Sequence, residues 1–296
     1  MISSQPSVPA WKPSSGRALS PSSPFVRSAL LLSIMDKIEA YSLFSGSSGN
    51  CTYIRTRDAE LLIDAGVSAR AVEKALREIG SSLDRISAIF VTHEHVDHTR
   101  GLEVISKKYH IPTHMTEPSA RAWITDVHAS LLGDLYLHPI SFSVRFADTT
   151  VRSFSVPHDS AAAVGYTVEY SDAESSEKLG IATDMGHIDA DILSSLTGAD
   201  AVMIEANHDM EMLLAGPYPY SLKRRILSDR GHLSNEACGE LARLLAERGT
   251  KSFLLAHLSK DNNYPPTAQA AVRAALSEFD GIALAIAERD KPTKLG

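Results

Sequence analysis

The run His93-Glu94-His95-Val96-Asp97-His98 constrains this 296-residue chain more than any other segment. It follows Ile86–Thr92 (ISAIFVT), a continuous apolar stretch that reads as a buried strand. A helix is expected over Thr99–Tyr109, so the chain must turn between the two. Side chains two apart in an extended turn can face one side, which brings His93 and His95 together. Asp97 and His98 are offset and can serve a second ion. Neutral imidazole suits zinc and similar cations, and carboxylate adds hard oxygen. Two such cations a few ångströms apart acidify water and clamp a phosphoryl or carbonyl oxygen, so the run predicts a two-metal hydrolase.

One run cannot complete two centres, since a catalytic site needs about three protein ligands and an open position. The remaining donors are expected at other strand ends. Asp64 follows ELLI, His158 follows VRSFSVP, Asp184 follows KLGIAT and His257 follows KSFLLA. Each is a ligand-type residue at the C-terminal tip of an apolar strand, where open α/β sheets place their sites.

The rest of the chain supplies a scaffold for this set. Apolar residues make up 44%, enough for a large α/β core. Strands are expected at Ile38–Phe44, Cys51–Arg55, Glu60–Asp64, Ile111–Met115, Tyr136–Ile140, Val151–Val156, Ala163–Glu169, Lys178–Thr183, Ala199–Glu205, Lys251–Ala256 and Gly281–Ile286. Helices are expected at Ala69–Ile79 behind the cap Ser68, Pro118–Ala129, Asn235–Arg248 behind Ser234, and Pro266–Ser277. Strands followed by helices, in two similar halves, predict two sheets packed face to face with helices outside.

Residues 36–296 carry no linker-like stretch and read as one domain. Residues 1–34, rich in Ser and Pro, read as a disordered extension, with Met35 as the expected translation start.

Composition also excludes. A net charge of −7 argues against coating nucleic acid by bulk charge, although a local basic groove remains open. The two cysteines, Cys51 and Cys238, form no CxxC pair and are expected as small buried residues in a reducing cytoplasm. No apolar run approaches the ~20 residues of a membrane span, so no membrane association is expected.

Asp64, HEHVDH, His158, Asp184 and His257, in that order, resemble the metallo-β-lactamase superfamily with its HxHxDH signature. The resemblance covers residues 36–296. It implies a four-layer αββα sandwich with two divalent metal ions, zinc or manganese, at one edge. It also implies that His93, His95 and His158 hold the first ion. Asp97, His98 and His257 would hold the second, with Asp184 bridging. Asp64 would support the histidine loop from behind. An aspartate at 184 disfavours true β-lactamases, which place a cysteine there.

SLFSGSSGN at 42–50, EANHD at 205–209, GPYPYSLKRRILSDRGHLSN at 216–235 and AHLSKDNN at 256–263 look like the YycJ/WalJ-type branch. That resemblance implies a cytoplasmic 5′-to-3′ DNA exonuclease linked to repair, in which a metal-bridging hydroxide attacks phosphorus. Asp97 and His232 are the catalytic candidates, His232 as proton donor to the leaving oxygen. Lys223, Arg224 and Arg225, with Arg230 nearby, form a short basic segment expected to guide a phosphate backbone. Tyr218 and Tyr220 are candidate stacking residues. Asn50 and His208 are expected at the pocket, with Gly46 and Ser47 at its rim. Of the remaining histidines, His187 reads as an outer-shell group because it is close to Asp184, and His110, His114, His128 and His138 as surface or packing residues. The alternatives are a thioester or lactone hydrolase on the same fold, ribonuclease Z-like RNA processing, a di-iron oxidoreductase, and a non-catalytic binding module.

Overall fold

The computed structural model describes residues 37–124 and 134–296. The expected extension 1–34 and the last part of the helix expected over Pro118–Ala129 lie outside the described residues. Two seven-stranded sheets dominate. The first contains β1 (Glu39–Phe44), β2 (Cys51–Arg55), β3 (Glu60–Ile63), β4 (Ala88–Phe90), β5 (Thr113–Thr116), β6 (Leu135–His138) and β14 (Thr293–Leu295), in the order β14-β1-β2-β3-β4-β5-β6. The second contains β7 (Ser143–Phe146), β8 (Thr149–Ser155), β9 (Val164–Ser171), β10 (Ser176–Ala182), β11 (Ala201–Glu205), β12 (Ser252–Ala256) and β13 (Ala283–Ile286), in the order β13-β12-β11-β10-β9-β8-β7.

Each sheet is half antiparallel and half parallel. In the first, β14 through β3 pair antiparallel and β3 through β6 parallel. In the second, β7 through β10 pair antiparallel and β10 through β13 parallel. Parallel neighbours need crossover connections, and these put helices on the outer faces.

The helices are α1 (Ala69–Glu78), α2 (Val96–Thr99), α3 (Leu102–Tyr109), α4 (Glu117–Trp123), α5 (Ala190–Leu196), α6 (Met210–Ala215), α7 (Tyr220–Ile226), α8 (Asn235–Ala246) and α9 (Pro265–Ala275). Three cores separate the layers. Val72, Leu76, Leu102 and Ile105 pack on one face of the first sheet. Leu61, Ile63, Phe90, Tyr166, Val168, Ile181 and Leu254 fill the space between the sheets. Ile192, Leu196, Leu241, Leu245 and Val272 pack on the outer face of the second sheet. Full burial of each such side chain contributes about 1.5–3 kcal/mol. The result is the four-layer αββα sandwich expected from the sequence.

Ser68 and Ser234 cap α1 and α8 as expected, accepting from Ala71 N and Ala237 N. The helix expected over Thr99–Tyr109 is instead two helices broken at Arg100–Gly101. A Cβ on Gly101 would lie 2.2 Å from the Val67 carbonyl oxygen, so the backbone there is pressed against the loop after β3. The short edge strands β7 and β14 and the short helices α5, α6 and α7 were not anticipated, because segments this brief carry little periodicity.

Candidate metal centre

The parallel halves of both sheets point their C-terminal ends at one edge, and the ligand-type residues stand there. Asp64 follows β3, Asp184 lies two residues beyond β10, and His257 follows β12. All three hold left-handed backbone, with φ of 63°, 58° and 57°. Such conformations are uncommon away from glycine, and three of them at one sheet edge are the strain expected of a built site. Each turns the chain sharply off its strand and aims the side chain across the sheet edge.

Asp64 accepts from Thr92 N at 2.8 Å and from Thr92 Oγ1 at 2.9 Å, so it grips the start of the histidine loop. It also accepts from His98 Nδ1 at 2.8 Å, which leaves Nε2 of that ring as the lone-pair nitrogen. Gly66 admits the loop itself: a Cβ there would lie 1.6 Å from the Asp97 carbonyl oxygen. Asn50 N donates to that same oxygen at 2.8 Å.

Within the loop, His93 Nε2 and His95 Nδ1 are 3.0 Å apart. His158 joins them, and the ring nitrogens of His93, His95 and His158 lie within 4.8 Å of one another. Asp97, His98 and His257 form a second group on the same criterion, as do His93, His98 and Asp184. Asp184 stands between the two centres, with Oδ2 3.5 Å from His98 Nε2 and Oδ1 3.4 Å from His257 Nε2. The arrangement therefore brings together all seven expected ligands.

The donor set fits divalent cations. Asp184 Oδ2 and His257 Nε2 are buried and make no hydrogen bond within the protein. Buried polar atoms are rarely left so, and a shared cation satisfies both at once. The opposite ring nitrogens are already committed: His257 Nδ1 to Glu205 Oε1 at 2.8 Å, and His158 Nδ1 to the Gly231 carbonyl at 3.3 Å. This is how a protein fixes the tautomer and aim of a ligating histidine.

The electrostatics divide along the same line. Burial, followed by the nearby His98 and His158 rings, pushes His93 well below the ordinary imidazole range. Burial would also depress His98, but the carboxylates of Asp64 and Asp184 outweigh it and push the ring up to about 9. His257 is raised in the same way by Asp184, Asp97 and Glu205 against burial. Burial would raise Asp97, yet the His257 ring 3.9 Å away and the charge of His98 hold it well below the carboxylate range.

The donors open onto a cleft of about 290 Å³ lined by His95, Asp97, His158, Asp184, His232 and His257 on its floor. Tyr218, Leu222, Arg225 and Ile226, from α7 and the segment before it, form one wall. His232 is held there by Glu205, whose Oε1 accepts from Nδ1 at 2.8 Å. Burial opposes the charged form of His232, and Glu205 and then Asp184 overcome it and raise the ring.

The expected substrate-binding set is corrected in four places. Lys223 does not face the cleft, because Nζ donates to the Leu214 and Gly216 carbonyls at 2.6 and 2.8 Å and closes the end of α6. Arg224 lies on the outer face of α7, its guanidinium 6.0 Å from the centroid of the exposed Tyr220 ring. Asn50 sits beneath the centre, with Nδ2 3.1 Å from His98 Nε2. His208 is 1% exposed and lines no part of the cleft. The two tyrosines also part: Tyr218 lines the cleft and donates to Asp261 at 2.8 Å, while Tyr220 is 76% exposed. Arg225 remains in the cleft.

Two important side chains, Glu205 and Glu94, were passed over in the sequence, and Arg230, expected beside the basic segment, has a different task. Glu205 is fully buried and serves His232 and His257 through Oε1, while Oε2 accepts from Met185 N and Leu233 N. It ends the strand AVMIE, the same signal that marked Asp64 and His257. Glu94, inside the histidine run, accepts from Ala161 N at 2.7 Å and ties that run to the His158 loop. Arg230 holds the same loop by donating to the His158 and Ser160 carbonyls at 2.7 and 3.1 Å. Cys51 and Cys238 are buried and unpaired, and burial pushes both thiols far up.

The model of the β-lactamase superfamily domain matches residues 59–258, which span the whole set from Asp64 to His257. The chain belongs to the β-lactamase superfamily. It is 38% identical over 242 residues to the exodeoxyribonuclease YycJ of Bacillus anthracis, covering 80% of this chain and 88% of that one. It is 36% identical over 244 residues to the exodeoxyribonuclease WalJ of Streptococcus pneumoniae, again covering 80% and 88%. The fold is similar to that of the metallo-β-lactamase fold protein YhfI from Bacillus subtilis, at a TM-score of 0.64 and 15% identity over 88% of this chain and 100% of that one. Among the described residues, no helix is long and apolar enough to cross a membrane.

Proposed function

We propose that this chain is a metal-dependent phosphodiesterase that acts in the cytoplasm as a 5′-to-3′ DNA exonuclease. The observation that carries the reading is the convergence of imidazoles and carboxylates from both sheets on one cleft. Identity of 36–38% to proteins named exodeoxyribonucleases points to a phosphodiester rather than a thioester or lactone.

His93, His95 and His158 would hold one divalent cation, and Asp97, His98 and His257 a second, with Asp184 between them. Imidazole favours zinc, and the carboxylates together with a phosphodiester substrate suit manganese. Such cations supply Lewis acidity toward phosphoryl oxygens and acidify water. The chain's own residues do the rest. Glu205 holds His232 by Nδ1, so Nε2 is the atom positioned to give a proton to the leaving oxygen. Arg225 supplies a cation in the wall of the cleft.

The test combines metal analysis with digestion of 5′- and 3′-labelled DNA and RNA, using His95→Ala as control. Bis-p-nitrophenyl phosphate and S-lactoylglutathione are compared in parallel. Release of nucleotides from DNA ends that is lost in His95→Ala is the expected result. Preference for the thioester overturns the reading.

A further inference from the structure

Among the described residues that line the cleft, Arg225 is the sole lysine or arginine. It stands on α7 with Leu222 and Ile226, spaced three and one residues from it, so one face of this short helix forms the wall. Its Nε donates to Asp159 Oδ2. Asp159 lines the cleft too, and its other oxygen lies 3.3 Å from His158 Nε2. One carboxylate therefore stands between the guanidinium and the three-histidine group.

The way the pair is made matters. A guanidinium held through Nε keeps both terminal NH2 groups for another partner, and neither makes a hydrogen bond within the described protein. The side chain is about half exposed, so those groups reach solvent in the cleft. An arginine fixed at Nε and open at both terminal nitrogens is preorganised for the oxygens of a phosphate. The scissile phosphate belongs over the imidazole and carboxylate floor, so Arg225 meets a different one.

We propose that Arg225, oriented by Asp159, binds a second phosphate of the substrate, next to the one that is hydrolysed. The inference rests on the phosphodiesterase reading and deepens it. The substrate class becomes a nucleotide strand carrying at least two neighbouring phosphates, and Asp159 becomes a positioning residue for its anchor. At about 290 Å³ the cleft stands at the lower end of the roughly 300–1,000 Å³ usual for ligand pockets, a size that suits the end of one strand.

Three dinucleotides with one common scissile bond test this: thymidylyl-thymidine, its 5′-phosphorylated form and its 3′-phosphorylated form. The wild-type enzyme is expected to show a KM at least about tenfold lower for one phosphorylated form than for the unphosphorylated dinucleotide, with similar kcat. Arg225→Gln and Asp159→Ala are expected to erase that preference. Arg225→Lys is expected not to restore it, because lysine keeps the charge and loses the fork. Asp159→Asn, which still offers an oxygen to Nε, is expected to restore part of it.

A preference that persists in Arg225→Gln overturns the proposal. So does a wild-type enzyme that cleaves all three dinucleotides with equal KM. Failure to cleave any of them, alongside turnover of S-lactoylglutathione, is instead the failure of the phosphodiesterase reading and removes the proposal with it.

Discussion

His98 donates from Nδ1 to Asp64 Oδ2 over 2.8 Å, and both side chains are buried. The bond fixes the tautomer of a ring whose other nitrogen faces Asp184 and Asp97. Asp64→Asn keeps a residue that tolerates left-handed backbone but turns one oxygen into a donor. Metal affinity is expected to fall about 10- to 100-fold, the usual effect of losing such a supporting carboxylate. Chelator competition followed by metal analysis measures it, and unchanged affinity would remove Asp64 from this role.

Glu205 joins His232 and His257 through a single oxygen. Glu205→Gln keeps the shape but cannot accept in the same way from two rings while serving Met185 N and Leu233 N. kcat is expected to drop by roughly 10²-fold, within the range lost with a positioned acid or base. Near-normal kcat at full metal loading would show that the carboxylate is only a packing element.

His93→Ala and Asp97→Ala each remove one member of a different donor group. Activity is expected to fall by roughly 10²–10³-fold or more, with circular dichroism little changed. Near-normal turnover in either variant would refute its placement at the reaction centre.

Removing the cations makes stability depend on pH in a defined direction. His98 is held at about 9 in the metal-free fold, above the ordinary imidazole value of about 6.5, and His257 is raised as well. A raised folded pKa contributes stability that is complete below the unfolded value and is lost as pH climbs through the folded one. Metal-free protein should therefore lose Tm between pH 7 and 9.5. Metal uptake should release protons and tighten over the same window, because the ligand is the neutral ring. Calorimetry in buffers of different ionisation enthalpy counts those protons, and their absence would contradict the assignment.

His114 titrates in the opposite sense. Burial, then the His138 ring, lowers it to about 4, while it stacks on Phe90 and Tyr136 with Nδ1 2.9 Å from His138 Nε2. Its lowered pKa contributes stability that is present above about 6.5 and is lost as pH falls toward 4. His114→Phe preserves the stack and should flatten the stability profile across that window by about 1 kcal/mol, discounted for partial solvent screening. Parallel denaturation curves at pH 7 and 4.5 would expose an unchanged slope.

The chain by itself determined the parts of this protein that rest on local order. Apolar runs ending in aspartate or histidine marked Asp64, His158, Asp184 and His257. HEHVDH marked the turn between a buried strand and a helix, because backbone geometry there acts over a few residues. The αββα layers followed from strands and helices whose periodicity spans whole elements. Brief elements such as α7 (Tyr220–Ile226) and β14 (Thr293–Leu295) lacked that signal. Only the tertiary structure decided which of three adjacent cations reaches the cleft. Lys223 closes a helix end, Arg224 lies against Tyr220, and Arg225 alone meets Asp159, 66 positions away. Likewise Glu205 gained its role from rings 27 and 52 residues distant. A charge in a sequence carries no direction: its partner is set by the packing of the elements that bear it, and that packing is a property of the whole core.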